Sequence, residues 1–207
     1  MSVMRPIVEL KRTELLDKMR REDPPKYQRR MNYQSFITTA TDTGLFMRTG
    51  TVSQGIRVPS RTSGNEYLVQ VHFASVMRNL SSEMKLRGMT RANNQVVYAA
   101  LRKAVDDGDV AVDCSCPDFR YRHAYWATKG DYKYGEPETR PANIRNPDNK
   151  GAACKHTAAV LARPSKWIIV IARRLVPIIN QYLESQEEKE PKDNDVEDDF
   201  SDVEMED

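Results

Sequence analysis

Asp109-Val110-Ala111-Val112-Asp113-Cys114-Ser115-Cys116 alternates apolar or thiol residues at even positions with small or charged residues at odd ones. Side chains two apart on a strand share a face, so this spacing predicts a strand that points both sulfurs where Val110 and Val112 point, into a core. Further on comes Gly151-Ala152-Ala153-Cys154-Lys155-His156-Thr157-Ala158-Ala159-Val160-Leu161-Ala162, a good helix former stopped by Pro164, with 37 residues between Cys116 and Cys154. His156 falls in the first turn of that helix and Cys154 just before it. Three thiols and one imidazole in two i, i+2 pairs form the donor set of a closed tetrahedral zinc site, which would staple the strand to the helix N-terminus. A disulfide explains them less well: Cys114 and Cys116 are too close for relaxed geometry, and a third thiol is left over.

The rest of the chain reads outward from this staple. Tyr67, Val69, Val71 and Phe73 alternate with Leu68, Gln70, His72 and Ala74, predicting a half-buried strand with His72 on its less apolar side, an ordinary surface or satisfied histidine. Val76, Met77, Leu80 and Met84 make a helical stripe closed by Gly88. Val97, Ala100, Leu101 and Ala104 make a second, which Thr90 can cap and Gly108 ends. Pro117 opens a helix with Phe119, His123 and Trp126 at i, i+4 and i+7, a spacing that places His123 beside aromatics rather than on a metal. Residues 165–185 form the longest helix; Trp167 to Ile171 is apolar all round and needs partners on every side, in the core or another subunit. Pro177 should kink it. Residues 7–22, carrying Val8, Leu15, Leu16 and Met19, read as a charged helix ended by Pro24-Pro25, with the basic stretch Lys26 to Arg30 after it. Residues 34–64 suggest strands or an extended arm. The class is therefore α+β: a small antiparallel sheet with packed helices, a zinc-stapled strand-loop-helix and a long C-terminal helix. Three segments are expected: an N-terminal helix and basic arm (1–33), the zinc-stapled domain (34–185) and an acidic disordered tail (186–207).

Residues 130–150 form a loop broken by Gly130, Gly135, Pro137, Pro141 and Pro147. A connection this long without regular structure is functional, disordered or pinned, and a metal at its base would pin it. Tyr132, Lys133, Tyr134, Arg140 and Arg145 interleave aromatics with cations, which suits a single-stranded nucleic acid or a protein partner equally.

Charge divides the chain. Residues 186–207 hold 12 acidic and 2 basic residues, a net of −10, so the preceding 185 carry +12 of the formal +2. No apolar run approaches the roughly 20 residues that span a bilayer, and Met1 to Glu9 lacks the apolar core of a signal peptide, so reduced thiols in an intracellular protein are expected. There is no Gly-rich phosphate loop, no His-Glu-x-x-His and no nucleophile with a local base, and Asp106, Asp107 and Asp109 read as a solvated helix end. A zinc with four protein ligands keeps no position for water, so a hydrolase would need one ligand displaced; the reading is a non-enzyme.

The run Cys114-Ser115-Cys116-Pro117-Asp118-Phe119 with Cys154-Lys155-His156 resembles the SWIM zinc module, with a longer spacer. Phe119 to Trp126, Pro137 to Pro147 and Cys154 to Leu161 together resemble a family of structural proteins of tailed bacteriophages. The second resemblance implies a virion component of the neck, tail or head interior, found in the particle and the host cytoplasm and bound to other virion proteins and to itself. The first implies one structural zinc and, as the alternative, a nucleic-acid-binding module.

Overall fold

The computed structural model describes residues 11–60, 63–108 and 110–187. Four strands, β1 (Ile37–Thr38), β2 (Val52–Pro59), β3 (Glu66–Phe73) and β4 (Val110–Cys114), form one antiparallel sheet in sequence order. One face is buried by strand alternation: Val52, Ile56 and Val58 of β2, Val69, Val71 and Phe73 of β3, and Val110, Val112 and Cys114 of β4 make it apolar except at Gln54, whose amide donates to the Thr39 carbonyl at 3.0 Å. The register sets Val71 opposite Val112 and Val69 opposite Cys114, so the first predicted ligand continues a row of core side chains. The strand pattern is thus borne out for residues 110–114; Asp109 lies outside the described residues.

The helices are α1 (Arg12–Glu22), α2 (Pro24–Arg29), α3 (Thr43–Thr49), α4 (Val76–Leu86), α5 (Asn94–Asp107), α6 (Ala124–Lys129), α7 (Lys155–Ala162) and α8 (Ser165–Glu187). Helices α4 and α5 form the crossover between β3 and β4 and bury the predicted stripes, with Val97, Ala100, Leu101 and Ala104 fully enclosed and Met77 half-buried. The cap of α5 is Asn93, not Thr90: its side chain accepts the Val96 N–H at 2.9 Å, three residues on, where a capping oxygen is needed. No described helix is long and apolar enough to cross a membrane.

Helix α8 answers the question its apolar turn posed. Trp167, Ile168, Ile171, Leu175 and Ile179 are buried in this chain's own core, with Trp167 against Phe73 at 6.1 Å between ring centroids. The helix runs unbroken through Pro177, whose exposed position lets water reach the carbonyl that the missing N–H leaves free.

The first predicted helix ends at Glu22, just before Pro24-Pro25, as expected; the same pair also opens α2, because proline suits the first turn, and Asp23 caps it by accepting the Lys26 N–H at 3.3 Å. One local expectation is corrected. Residues 43–49 are helical rather than extended: Asp42 caps α3 through the Leu45 N–H at 2.8 Å, and Gly50 ends it in the left-handed region at φ 66°. Leu15, Leu16, Met19 and Tyr33 join the same buried core as the sheet. Val8 and residues 7–10 of the first predicted helix lie outside the described residues, as do residues 188–207 of the tail.

Candidate metal centre

The four predicted ligands converge. The Sγ atoms of Cys114, Cys116 and Cys154 and a ring nitrogen of His156 all lie within 4.8 Å of one another, and all four residues are buried. Cys114 ends β4. Cys116 follows the turn out of it, and its sulfur accepts the Phe119 N–H at 3.3 Å as the next helical segment begins. From the other side, α7 packs across β3 and β4. Cys154 is the N-cap of α7, with its sulfur accepting the Thr157 N–H at 3.4 Å. Backbone N–H groups and the positive end of a helix both favour a thiolate.

His156 is not a satisfied core histidine. Its Nδ1 lies 3.9 Å from Cys154 Sγ, and its Nε2 is buried with no hydrogen-bond partner among the described residues. Tyr33 meets the ring edge-on at 5.2 Å and Tyr67 lies tilted at 4.8 Å, so neither nitrogen reaches a carbonyl or carboxylate. An imidazole enclosed in this way offers its free nitrogen to something else.

The thiols repeat the point electrostatically. Burial alone would raise Cys154, but hydrogen bonds from Cys114, Cys116 and His156 overcome it and hold this thiol well below the ordinary range. Cys114 is pushed well up, first by its hydrogen bonds with Cys116 and Cys154 and then by burial. Cys116 gains a lowering hydrogen bond from Cys114, yet that to Cys154 and burial carry it upward. Three buried sulfurs cannot all ionise beside one another unless a cation neutralises them. Three soft donors and an imidazole suit a tetrahedral ion of zinc type, whose sulfur ligands stand about 3.8 Å apart; the set needs only slight contraction to reach that. These residues fit one metal ion.

The long connection is pinned by more than its base. Its residues 132–134 run beside β4: Val112 donates to the Tyr132 carbonyl at 2.8 Å and accepts from the Tyr134 N–H at 2.9 Å, covering that sheet edge. Tyr132 is buried, its hydroxyl donating to the Ala152 carbonyl at 3.0 Å. Lys133 pairs with Asp113 at 3.0 Å, and Tyr134 stacks on His72 at 5.3 Å. Arg140 and Arg145 alone of the five interleaved residues stand exposed; Arg140 grips Glu138 with two nitrogens at 2.9 and 2.7 Å. That grip holds the Glu138 carboxyl down at about 2.

The residue that organises this strap is Asn146, 3% exposed, whose only local signal in the sequence is the Asn-Pro pair it forms with Pro147. Its amide donates to the Arg122 and Lys150 carbonyls at 3.0 and 3.2 Å, accepts the Lys150 N–H at 2.8 Å, and its own carbonyl accepts the Trp126 indole N–H at 2.8 Å.

The other two histidines lie outside the cluster. His123 is buried beside Phe119, as its spacing implied, through a π-helical turn at Phe119–His123 that leads into α6. Its Nε2 accepts from Lys26 Nζ at 3.3 Å, a partner 97 residues away, and the same ammonium pairs with Asp23 and Asp118 at 3.1 and 3.2 Å. Burial, then the Lys26 charge, lowers His123 to about 4. His72 is half-buried rather than on the surface, with Nδ1 unpartnered among the described residues, and burial lowers it too. Glu22 accepts the Gly151 N–H at 2.9 Å and Lys18 donates to the Asn149 carbonyl at 3.3 Å, so the end of α1 holds the C-terminal end of the strap.

Compared with protein-family models, curated proteins and solved structures, the chain matches none.

Proposed function

We propose that Cys114, Cys116, Cys154 and His156 hold one zinc ion in a structural role, and that the chain is a non-enzymatic assembly protein using this staple to present interaction surfaces. The observation that carries the reading is the convergence of four buried donors, two from the end of a strand and two from the start of a helix. Bound there, zinc would supply cross-linking and charge neutralisation. With four protein ligands it keeps no position for an activated water.

Among assembly proteins, a structural component of a tailed-phage particle is the reading favoured by the likeness of Phe119–Trp126, Pro137–Pro147 and Cys154–Leu161 to that class. Mass spectrometry of purified particles tests it: a fixed copy number per particle is expected. Presence only in the infected-cell lysate, with nucleic-acid binding that falls steeply with salt, replaces it with the nucleic-acid module. Self-association is to be probed away from Ile168 and Ile171, because both are core residues here and a charge at either would unfold the chain.

A further inference from the structure

The strap carries a surface that its own folding does not use. Between the π-helical turn and the strap runs a groove of about 130 Å³ lined by Arg120, Tyr121, Tyr125, Arg140, Pro141 and Ala142, together with Glu138, whose carboxylate Arg140 already grips. At its end the chain turns tightly, with Asn146 N–H donating to the Ala142 carbonyl at 2.9 Å. Ala142 and Asn146 are buried, whereas Ile144 between them is 92% exposed and Arg145 faces solvent. Tyr121 is 55% exposed. An isolated exposed isoleucine carries no message, but this one is presented by a turn fixed through a buried asparagine. A pre-set turn loses little entropy when a partner settles on it. Arg120 and Arg145 make no ion pair among the described residues, and Arg140 is matched only by Glu138. The surface is therefore an apolar tip and an aromatic groove within a basic rim, which fits an acidic segment that carries apolar side chains.

The chain contains such a segment. Residues 193–207 read Asp-Asn-Asp-Val-Glu-Asp-Asp-Phe-Ser-Asp-Val-Glu-Met-Glu-Asp, nine acidic and no basic residues with Val196, Phe200, Val203 and Met205 spaced among them. Reach permits the contact. The last turns of α8 lie at the start of α5, where Asn180 accepts the Ala92 N–H at 2.8 Å and Glu184 pairs with Arg91. The end of α5 meets the start of α1 through Asp106 and Arg12 at 2.8 Å, and the end of α1 meets the strap through Glu22 and Gly151. Two helices of 14 and 11 residues set that path at about 40 Å, which about 12 extended residues after Glu187 span, so that residues 200–207 are left to lie on the surface. We infer that residues 200–207, with Phe200, Val203 and Met205 among their acids, dock in cis on the Arg120–Tyr121–Arg140–Ile144–Arg145 surface, so that an external partner of this face must displace them.

The test uses the full zinc-loaded chain, labelled with ¹⁵N and carrying a nitroxide at Ser201→Cys. Amide signals of residues 120–121 and 140–145 should lose more than half their intensity at low salt. They should recover at about 0.5 M salt, where charges are screened within a few ångströms. The double change Ile144→Ser with Arg145→Glu should restore them with metal content and melting unchanged, which keeps the result separate from the fate of the zinc staple. Nitroxide-bearing chain mixed with ¹⁵N chain that lacks the label should broaden nothing. Undiminished strap signals, broadening confined to another basic surface, or broadening in the mixed sample would each overturn docking in cis; the last would assign the tail to a second copy.

Discussion

The sheet with α4, α5 and α8 and the strap with its candidate metal centre are both well enclosed, but by different means. In the first, Phe73, Val97, Leu101, Trp167 and Ile171 are excluded from water and the stabilisation is apolar burial. In the second, residues 130–150 bury only Tyr132, Ala142 and Asn146, and order comes from directed hydrogen bonds, the Lys133–Asp113 pair and the four donors. A segment with so little apolar area cannot offset its ordering entropy by burial, so it needs cross-links at fixed points. The difference teaches that the strap should be able to fail without the sheet, whereas a failure of the apolar core they share takes both.

The largest effect should come from removing the metal. Chelation, or Cys154→Ser, should strip amide-exchange protection from residues 114–157 and from α1 and α2, which lean on the strap through Glu22 and Lys18 and on Asp118 and His123 through Lys26, while β2, β3, α4 and α5 keep theirs. Uniform loss across the chain would erase the distinction. Next, Trp167→Ala should cost about 3–5 kcal/mol in denaturant melts, lowering both regions together because it empties the shared core.

Acid should act first on the polar region. His123 titrates near 4 in the fold against 6.5 when unfolded, so the unfolded chain takes up the proton first. Its penalty is nil above about pH 6.5 and grows as pH falls toward 4, reaching roughly 3 kcal/mol. His123→Gln keeps an acceptor for Lys26 without the titration, and should flatten that part of the pH–stability curve measured at saturating zinc. An unchanged slope would show the loss to be due to the metal ligands alone. Smallest should be Asn146→Ala, at about 1–3 kcal/mol, since it strands the Arg122 and Lys150 carbonyls; exchange should quicken in residues 140–150 with the sheet unaffected.

How much of this was legible follows the same division. Period-two and helical spacing signal burial directly, so the apolar faces of β3, β4, α4 and α5 could be read from residue type alone, as could the four donors, whose i, i+2 pairing is itself strand and helix-start geometry. Partners joined across long separations leave no local period. Nothing near His123 points to Lys26, nothing near Gly151 to Glu22, and Tyr132 and Tyr134 look like free aromatics until the parallel bridge to Val112 turns them onto the sheet. Thr90 misled for a related reason: several residues ahead of α5 can cap, and only the backbone turn selects Asn93.

The central claim is that four buried donors hold one ion that closes the strap. Elemental analysis of the chain purified without added metal, paired with its melting curve before and after chelation, tests this most directly. One zinc per chain, absent from Cys154→Ser, with a large fall in melting temperature on chelation, is the predicted result. A chain that carries no metal, takes up none at micromolar zinc and melts unchanged with chelator would contradict it.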